Sequence, residues 1–155
     1  MIEIERKFLV RSNQFQEEAA HKTYMIQGFL STHPNRTVRV RLKGTDGTLT
    51  VKGASSLDGT TRFEWETQLT VDETKALLGL CEPGMVEKTR YEVPFKGNIF
   101  EVDVFHGENE GLILAELELP SNETSFEKPN WVGIEVTGDI RYYNSQLSKH
   151  PFKSW

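Results

Sequence analysis

The chain has 155 residues with 23 acidic and 18 basic side chains, a formal charge of −5 and a 37% hydrophobic fraction. That balance excludes a disordered chain and argues against non-specific nucleic-acid or membrane binding, which draws on a basic excess. No apolar run reaches the ~20 residues of a membrane span, acidic residues from Glu3 onward break any signal-peptide pattern, and the lone Cys81 forbids an internal disulfide, so a cytoplasmic protein is expected.

The length suggests one domain over residues 1–155. Period-two alternation dominates and marks eight half-buried strands, at about 2–10, 24–32, 36–43, 48–53, 62–70, 86–93, 98–105 and 111–119. Gly44-Thr45-Asp46-Gly47, Lys96-Gly97-Asn98 and the Gly107–Gly111 stretch supply short turns, which favour antiparallel hairpins. Short helices are predicted at 12–20 and 121–127. Asp72 is the predicted cap of a helix running to about Cys81, with Ala76, Leu77 and Leu80 as its apolar stripe. A last helix spans Asp139 to His150 and stops at Pro151. The class is α+β and mostly antiparallel.

Alternate residues of a strand share a face. Glu3, Glu5 and Lys7 therefore oppose Ile2, Ile4 and Phe8; Arg39 and Arg41 oppose Val38 and Val40; and Lys52 opposes Val51. Arg62, Glu64 and Glu66 oppose Phe63 and Trp65, and Lys88 and Arg90 oppose Thr89 and Tyr91. Glu101 and Asp103 oppose Val102, while Glu116 and Glu118 oppose Leu117. A sheet with one wet, charged face accounts for this pattern. So does an eight-stranded barrel whose charged face points inward. Two features favour the second: almost every polar-face position is ionisable, and like charges recur two residues apart, a repulsion that solubility does not require. Lined this way, the carboxylates suit Mg²⁺ or Mn²⁺ and the bases suit phosphate oxygens.

Glu3-Ile4-Glu5-Arg6-Lys7 resembles the ExExK signature of the CYTH superfamily, the triphosphate tunnel metalloenzymes. It is followed in order by Arg39-Val40-Arg41, Thr50-Val51-Lys52, Arg62-Phe63-Glu64-Trp65-Glu66, Glu87-Lys88-Thr89-Arg90-Tyr91, Glu101-Val102-Asp103 and Glu116-Leu117-Glu118. The closing runs Gly133-Ile134-Glu135-Val136-Thr137 and Arg141-Tyr142-Tyr143-Asn144 resemble the end of short bacterial members. The resemblance implies an antiparallel eight-stranded β-barrel, a tunnel with flanking helices, and Mg²⁺- or Mn²⁺-dependent hydrolysis of a small-molecule triphosphate. Inorganic tripolyphosphate comes first. Thiamine triphosphatase, nucleoside triphosphatase, class IV adenylyl cyclase and a non-catalytic polyphosphate sensor are the alternatives. Cyclases carry a His-Phe pair upstream of ExExK, for which a motif opening at Glu3 leaves no room.

By the same resemblance, Glu3, Glu5, Glu116 and Glu118 bind metal. Lys7, Arg39, Arg41, Lys52, Arg62, Lys88 and Arg90 bind substrate, and Glu64, Glu66 and Asp103 orient those bases or hold a second ion. Lys88, Glu116 and Glu118 are the expected catalytic groups. Phe29 stands where related members often carry Tyr. His21, His33, His106 and His150 have no zinc spacing; His106 is expected near the tunnel mouth, and Cys81 is expected to be a buried structural thiol. Neither a nucleic-acid polymer nor a membrane is an expected partner. Oligomeric state, a homodimer included, is left open by the sequence.

Overall fold

In the computed structural model, which describes residues 1–155, every alternating segment is a strand. They are β1 (Ile2–Val10), β2 (His21–Ser31), β3 (Arg36–Lys43), β4 (Asp46–Ser55), β5 (Thr61–Leu69), β6 (Val86–Phe95), β7 (Asn98–Phe105) and β8 (Ile113–Glu118). All pairings are antiparallel, in the order β5-β4-β3-β2-β6-β7-β8-β1. The ring closes where Ile2, Glu3 and Ile4 of β1 pair with Phe63, Arg62 and Thr61 of β5. This is the eight-stranded barrel that the resemblance implies and one of the two arrangements the alternation allows, and closure removes the exposed sheet edges.

A short further strand, β9 (Val132–Glu135), was not among the predicted ones. Beyond its contact with β5, β1 pairs with β9 through Phe8 and Val10. The turn after β9 rests on the β4–β5 turn. A side chain on Gly59 would lie 2.2 Å from the Gly138 Cα, so the two backbones touch only because both residues are glycine.

The helices depart from prediction in detail. The 12–20 segment contracts to one turn, α1 (Phe15–Glu18). Helix α2 (Val71–Leu78) starts two residues earlier than predicted. Thr70, not Asp72, is its cap: the Thr70 hydroxyl accepts from the Glu73 amide and the Glu73 carboxylate accepts from the Thr70 amide. No helix forms at 121–127. That segment runs irregularly between Pro120 and Pro129, where Phe126 meets Phe8 edge-on and lies under the Arg6 guanidinium; tertiary contact overrides a weak local preference. The 139–150 helix is split. A 3₁₀ turn over Ile140–Tyr142 precedes α3 (Asn144–Lys149).

Apolar side chains outside the barrel form the larger core. Phe8, Tyr91, Val93, Phe100, Val102, Ala115 and Leu117 project from their strands onto Phe15 of α1 and onto Trp131. Trp131 is fully buried against Phe15 and Phe100, and its Nε1 donates to Glu18. A second cluster lies at one end of the barrel interior. There Val86, Phe105, Leu112 and Leu114, each in register with inward-facing charged neighbours, pack against Tyr142 and Leu147. Helix α3 therefore fills that end, and the charged positions line what remains.

Candidate active site

The inward faces enclose a cavity of about 210 Å³ with 24 lining residues, of which only Phe29 and Tyr143 are hydrophobic. Seven cations line it: Lys7, Arg39, Arg41, Lys52, Arg62, Lys88 and Arg90. Seven carboxylates join them: Glu3, Glu5, Glu64, Glu66, Glu101, Glu116 and Glu118. Asp103 sits immediately behind, fully buried. The structure thus brings every sequence-predicted site residue to one place.

Strand order explains how these charges divide. Neighbouring β3, β2 and β6 carry Arg39, Arg41, Lys88 and Arg90, which make one wall cationic. Neighbouring β8, β1 and β5 carry Glu116, Glu118, Glu3, Glu5, Glu64 and Glu66, which make the facing wall acidic. On the cationic wall Asp103 is the anchor. Its two oxygens accept from Arg90 Nε (2.7 Å), Arg90 Nη2 (2.8 Å) and Lys88 Nζ (2.7 Å). Arg90 also reaches Glu101 at 3.1 Å and Glu116 at 3.5 Å. Arg39 donates to Thr50, which in turn donates to Glu66. The Arg39 Nε is buried with no partner. A buried donor left unsatisfied is costly, and an anion in the cavity would satisfy it.

This wall holds more positive charge than its acids offset. Burial, then Asp103 against it, then Arg90 and Arg41 set the Lys88 ammonium, with the net effect of lowering it to about 7. Burial and the neighbouring Arg39 and Arg90 press Arg41 down to about 9. Both shifts mark cations held ready for negative charge that the protein itself does not supply.

The acidic wall contains a pair and a triad of carboxyls. Burial, then the charge of Glu116, pushes Glu5 well above the ordinary carboxylate range. Glu116 is buried too, but Lys7, Arg90 and Lys88 hold it well below that range. The pair thus splits, Glu5 pressed toward its neutral form and Glu116 toward its charged one, and Lys7 faces both. Closer to the β1–β5 seam, oxygens of Glu3, Glu64 and Glu118 lie within 4.8 Å of one another. Lys52 Nζ bonds Glu3 at 2.9 Å and Glu64 at 3.2 Å. Burial followed by Glu3 raises the carboxyl of Glu64, and burial with Glu3, Glu101 and Glu64 raises Glu118. A cation placed among them would relieve this crowding, and three carboxylates are the hard oxygen donors that Mg²⁺ or Mn²⁺ takes.

The acidic cluster differs from the quartet expected from sequence. Glu3 and Glu118 meet, but their third partner is Glu64, while Glu5 and Glu116 pair with each other. Sequence reasoning also missed Gln27, Tyr143 and Asn144. Gln27 was detectable, since it shares the inward face of β2 with Phe29. Tyr143 and Asn144 enter from a non-strand segment, where alternation says nothing. The Tyr143 ring carries Lys7 at 5.1 Å and Arg62 at 5.8 Å, and its hydroxyl donates to Ser55. His106 is not at the cavity; it bonds Thr89 on the outer wall. Cys81 is half-buried, its thiol donating to the Leu77 carbonyl and its side chain crowding Gly28.

A closed antiparallel barrel thus sets a cationic wall, with the chemistry to hold an anion, against an acidic one with the oxygen donors a divalent cation takes. The chain belongs to the CYTH domain family, whose model matches residues 1–149. It is 46% identical over 154 residues to an inorganic triphosphatase of Acetivibrio thermocellus, covering 99% of this chain and 97% of that one. It is 40% identical to an inorganic triphosphatase of Nitrosomonas europaea, covering 96% and 97% respectively. A crystal structure of an inorganic triphosphatase superposes with a TM-score of 0.67 at 37% identity, covering 94% of this chain and 96% of the other. No helix is long and apolar enough to cross a membrane.

Proposed function

We propose that this protein is an inorganic triphosphatase that hydrolyses tripolyphosphate to pyrophosphate and phosphate. The observation that carries this reading is the single cavity with a cationic wall facing an acidic one. Arg39, Arg41, Lys88 and Arg90, with Lys7 and Arg62, hold the phosphoryl oxygens and stabilise the charge that develops on them. Glu3, Glu64 and Glu118 hold Mg²⁺ or Mn²⁺, and Glu5 and Glu116 extend the acidic wall beside them. A bound divalent ion supplies Lewis-acid polarisation of phosphoryl oxygens. Asp103 fixes the orientation of Lys88 and Arg90 without lining the cavity itself.

An inorganic chain is favoured over a nucleotide or thiamine triphosphate by the lining. An organic ring would find only Phe29 and Tyr143 to stack on, and Tyr143 already carries two cations. The test is phosphate release from tripolyphosphate, ATP and thiamine triphosphate, side by side, with Mg²⁺ and with Mn²⁺. Release from tripolyphosphate alone is the expected result. Cyclic AMP formed from ATP overturns it, and silence on all three makes the protein a polyphosphate sensor.

The depressed Lys88 gives a second test that does not depend on turnover. At pH 8 an amine titrating at about 7 is largely neutral. Tripolyphosphate brings negative charge to its side and restores the ordinary preference for the ammonium. Binding without divalent cation at pH 8 is therefore expected to take up roughly one proton more in the wild type than in Lys88→Arg, whose side chain stays charged. Calorimetry in two buffers of different ionisation enthalpy reads this directly. Equal proton uptake by the two proteins rules out Lys88 as the group that titrates.

A further inference from the structure

One cavity-lining side chain has its orientation settled by logic rather than by proximity alone. Arg41 Nε can only donate, so the Gln27 atom that faces it at 3.0 Å is Oε1. That turns Gln27 Nε2 toward Asn144, 2.8 Å away, and so requires an acceptor there, Oδ1. Lys88 Nζ donates to the same Asn144 Oδ1 at 2.8 Å. Two independent donors thus fix which way the Asn144 amide points. Its Nδ2 is left with no acceptor in the protein, on a side chain that lines the cavity beside Lys88. An amide with its oxygen doubly bound and its nitrogen free offers two N–H donors to whatever occupies the space.

We propose that Asn144 is a substrate-contacting residue, whose Nδ2 donates to an oxygen of the phosphoryl group lodged against α3. This rests on the reading of the cavity as a polyphosphate site and adds a neutral donor to its cations. The contribution is directional. A lysine or arginine attracts any anion nearby, whereas an amide clamped by Gln27 and Lys88 rewards only an oxygen placed in line with its N–H bonds. Because α3 also fills the end of the barrel through Leu147, the same element that closes the cavity reads the end of the chain held in it.

The test separates this contact from a purely structural role for Asn144. Tripolyphosphate binding is measured by calorimetry, without divalent cation, for the wild type, Asn144→Leu and Asn144→Asp. Asn144→Asp keeps an acceptor for both Gln27 and Lys88, but places an oxygen where Nδ2 stood. Ser145→Asp, measured alongside, puts the same charge on the neighbouring cavity-lining residue. If Asn144 only supports its neighbours, the aspartate there costs no more affinity than it does at Ser145. If Nδ2 contacts the ligand, Asn144→Asp binds more weakly than both Asn144→Leu and Ser145→Asp. We expect about a tenfold loss in affinity for Asn144→Leu and at least a further tenfold loss for Asn144→Asp. Wild-type affinity in Asn144→Leu overturns the proposal, and so does Asn144→Asp binding as well as or better than Asn144→Leu. Failure of the wild type itself to bind tripolyphosphate overturns the reading of the cavity, and the Asn144 contact with it.

Discussion

Asp103→Leu is expected to remove about 3–5 kcal/mol of folding stability, the usual result of taking one partner from a buried ion cluster. Asp103 has no exposed surface and accepts three charge-assisted bonds from two cations, both of them buried. Leucine matches its bulk but leaves Lys88 with only Asn144, and Arg90 with Glu101 and Glu116 at longer range. With a urea dependence of about 2 kcal/mol/M, the unfolding midpoint should fall by roughly 2 M. Adding Lys88→Met should recover part of the loss, because the second change removes a buried amine that the first left without its carboxylate. A midpoint unchanged in Asp103→Leu would mean that water, not the carboxylate, balances these cations. The pair also shows why the site is costly to build. Seven cations enclosed by a small barrel are stable only because carboxylates on adjacent strands meet them in register, as Arg90 meets Asp103 across β6 and β7.

Much of this arrangement was legible from alternation. The inward residues of seven of the eight strands follow from the parity of Glu3, Arg39, Lys52, Glu64, Lys88, Asp103 and Glu116, because a one-residue slip would turn every charge outward; β2, whose inward face carries Gln27 and Phe29, has no such charge. What parity leaves out is which strands become neighbours. Glu64 reaches Glu3 and Glu118 only because β5 closes onto β1, a pairing between strands separated by about 60 residues with no local sequence signal. Lys52 illustrates the same gap. Grouped by sequence with the bases of the preceding strand, it lies instead between two acids, since β4 is the neighbour of β5. The helices were harder to place for another reason. Residues 121–127 carry helix-compatible residues, yet Phe126 gains more by covering Phe8 than the segment gains from a turn of helix. Tyr143, in the break between a 3₁₀ turn and α3, and Asn144, the first residue of α3, enter the cavity where there is no periodicity to read.

The acidic wall makes the larger expectation for activity. Glu3→Gln, Glu64→Gln and Glu118→Gln should each lower the rate of tripolyphosphate hydrolysis by at least a hundredfold at fixed Mg²⁺, since each removes one of three charged oxygen donors whose oxygens lie within 4.8 Å of one another. Affinity for tripolyphosphate without divalent cation should stay the same or rise, because each change deletes a negative charge facing a polyanion. That opposition, turnover lost while binding is kept, separates a metal ligand from a residue that merely supports the barrel. Glu5→Gln provides the contrast. Burial and Glu116 already press Glu5 toward its neutral form, so an uncharged amide there changes the local charge less than it does at Glu64. Its effect on metal affinity should be several times smaller than that of Glu64→Gln, although its turnover still falls, by about tenfold, through the disturbed Glu116 and Lys7. Manganese titration of the four variants, followed by its paramagnetic signal, orders them directly. If Glu5→Gln weakens the ion most and Glu64→Gln least, the ion belongs with Glu5 and Glu116, and the seam between β1 and β5 serves only to close the barrel.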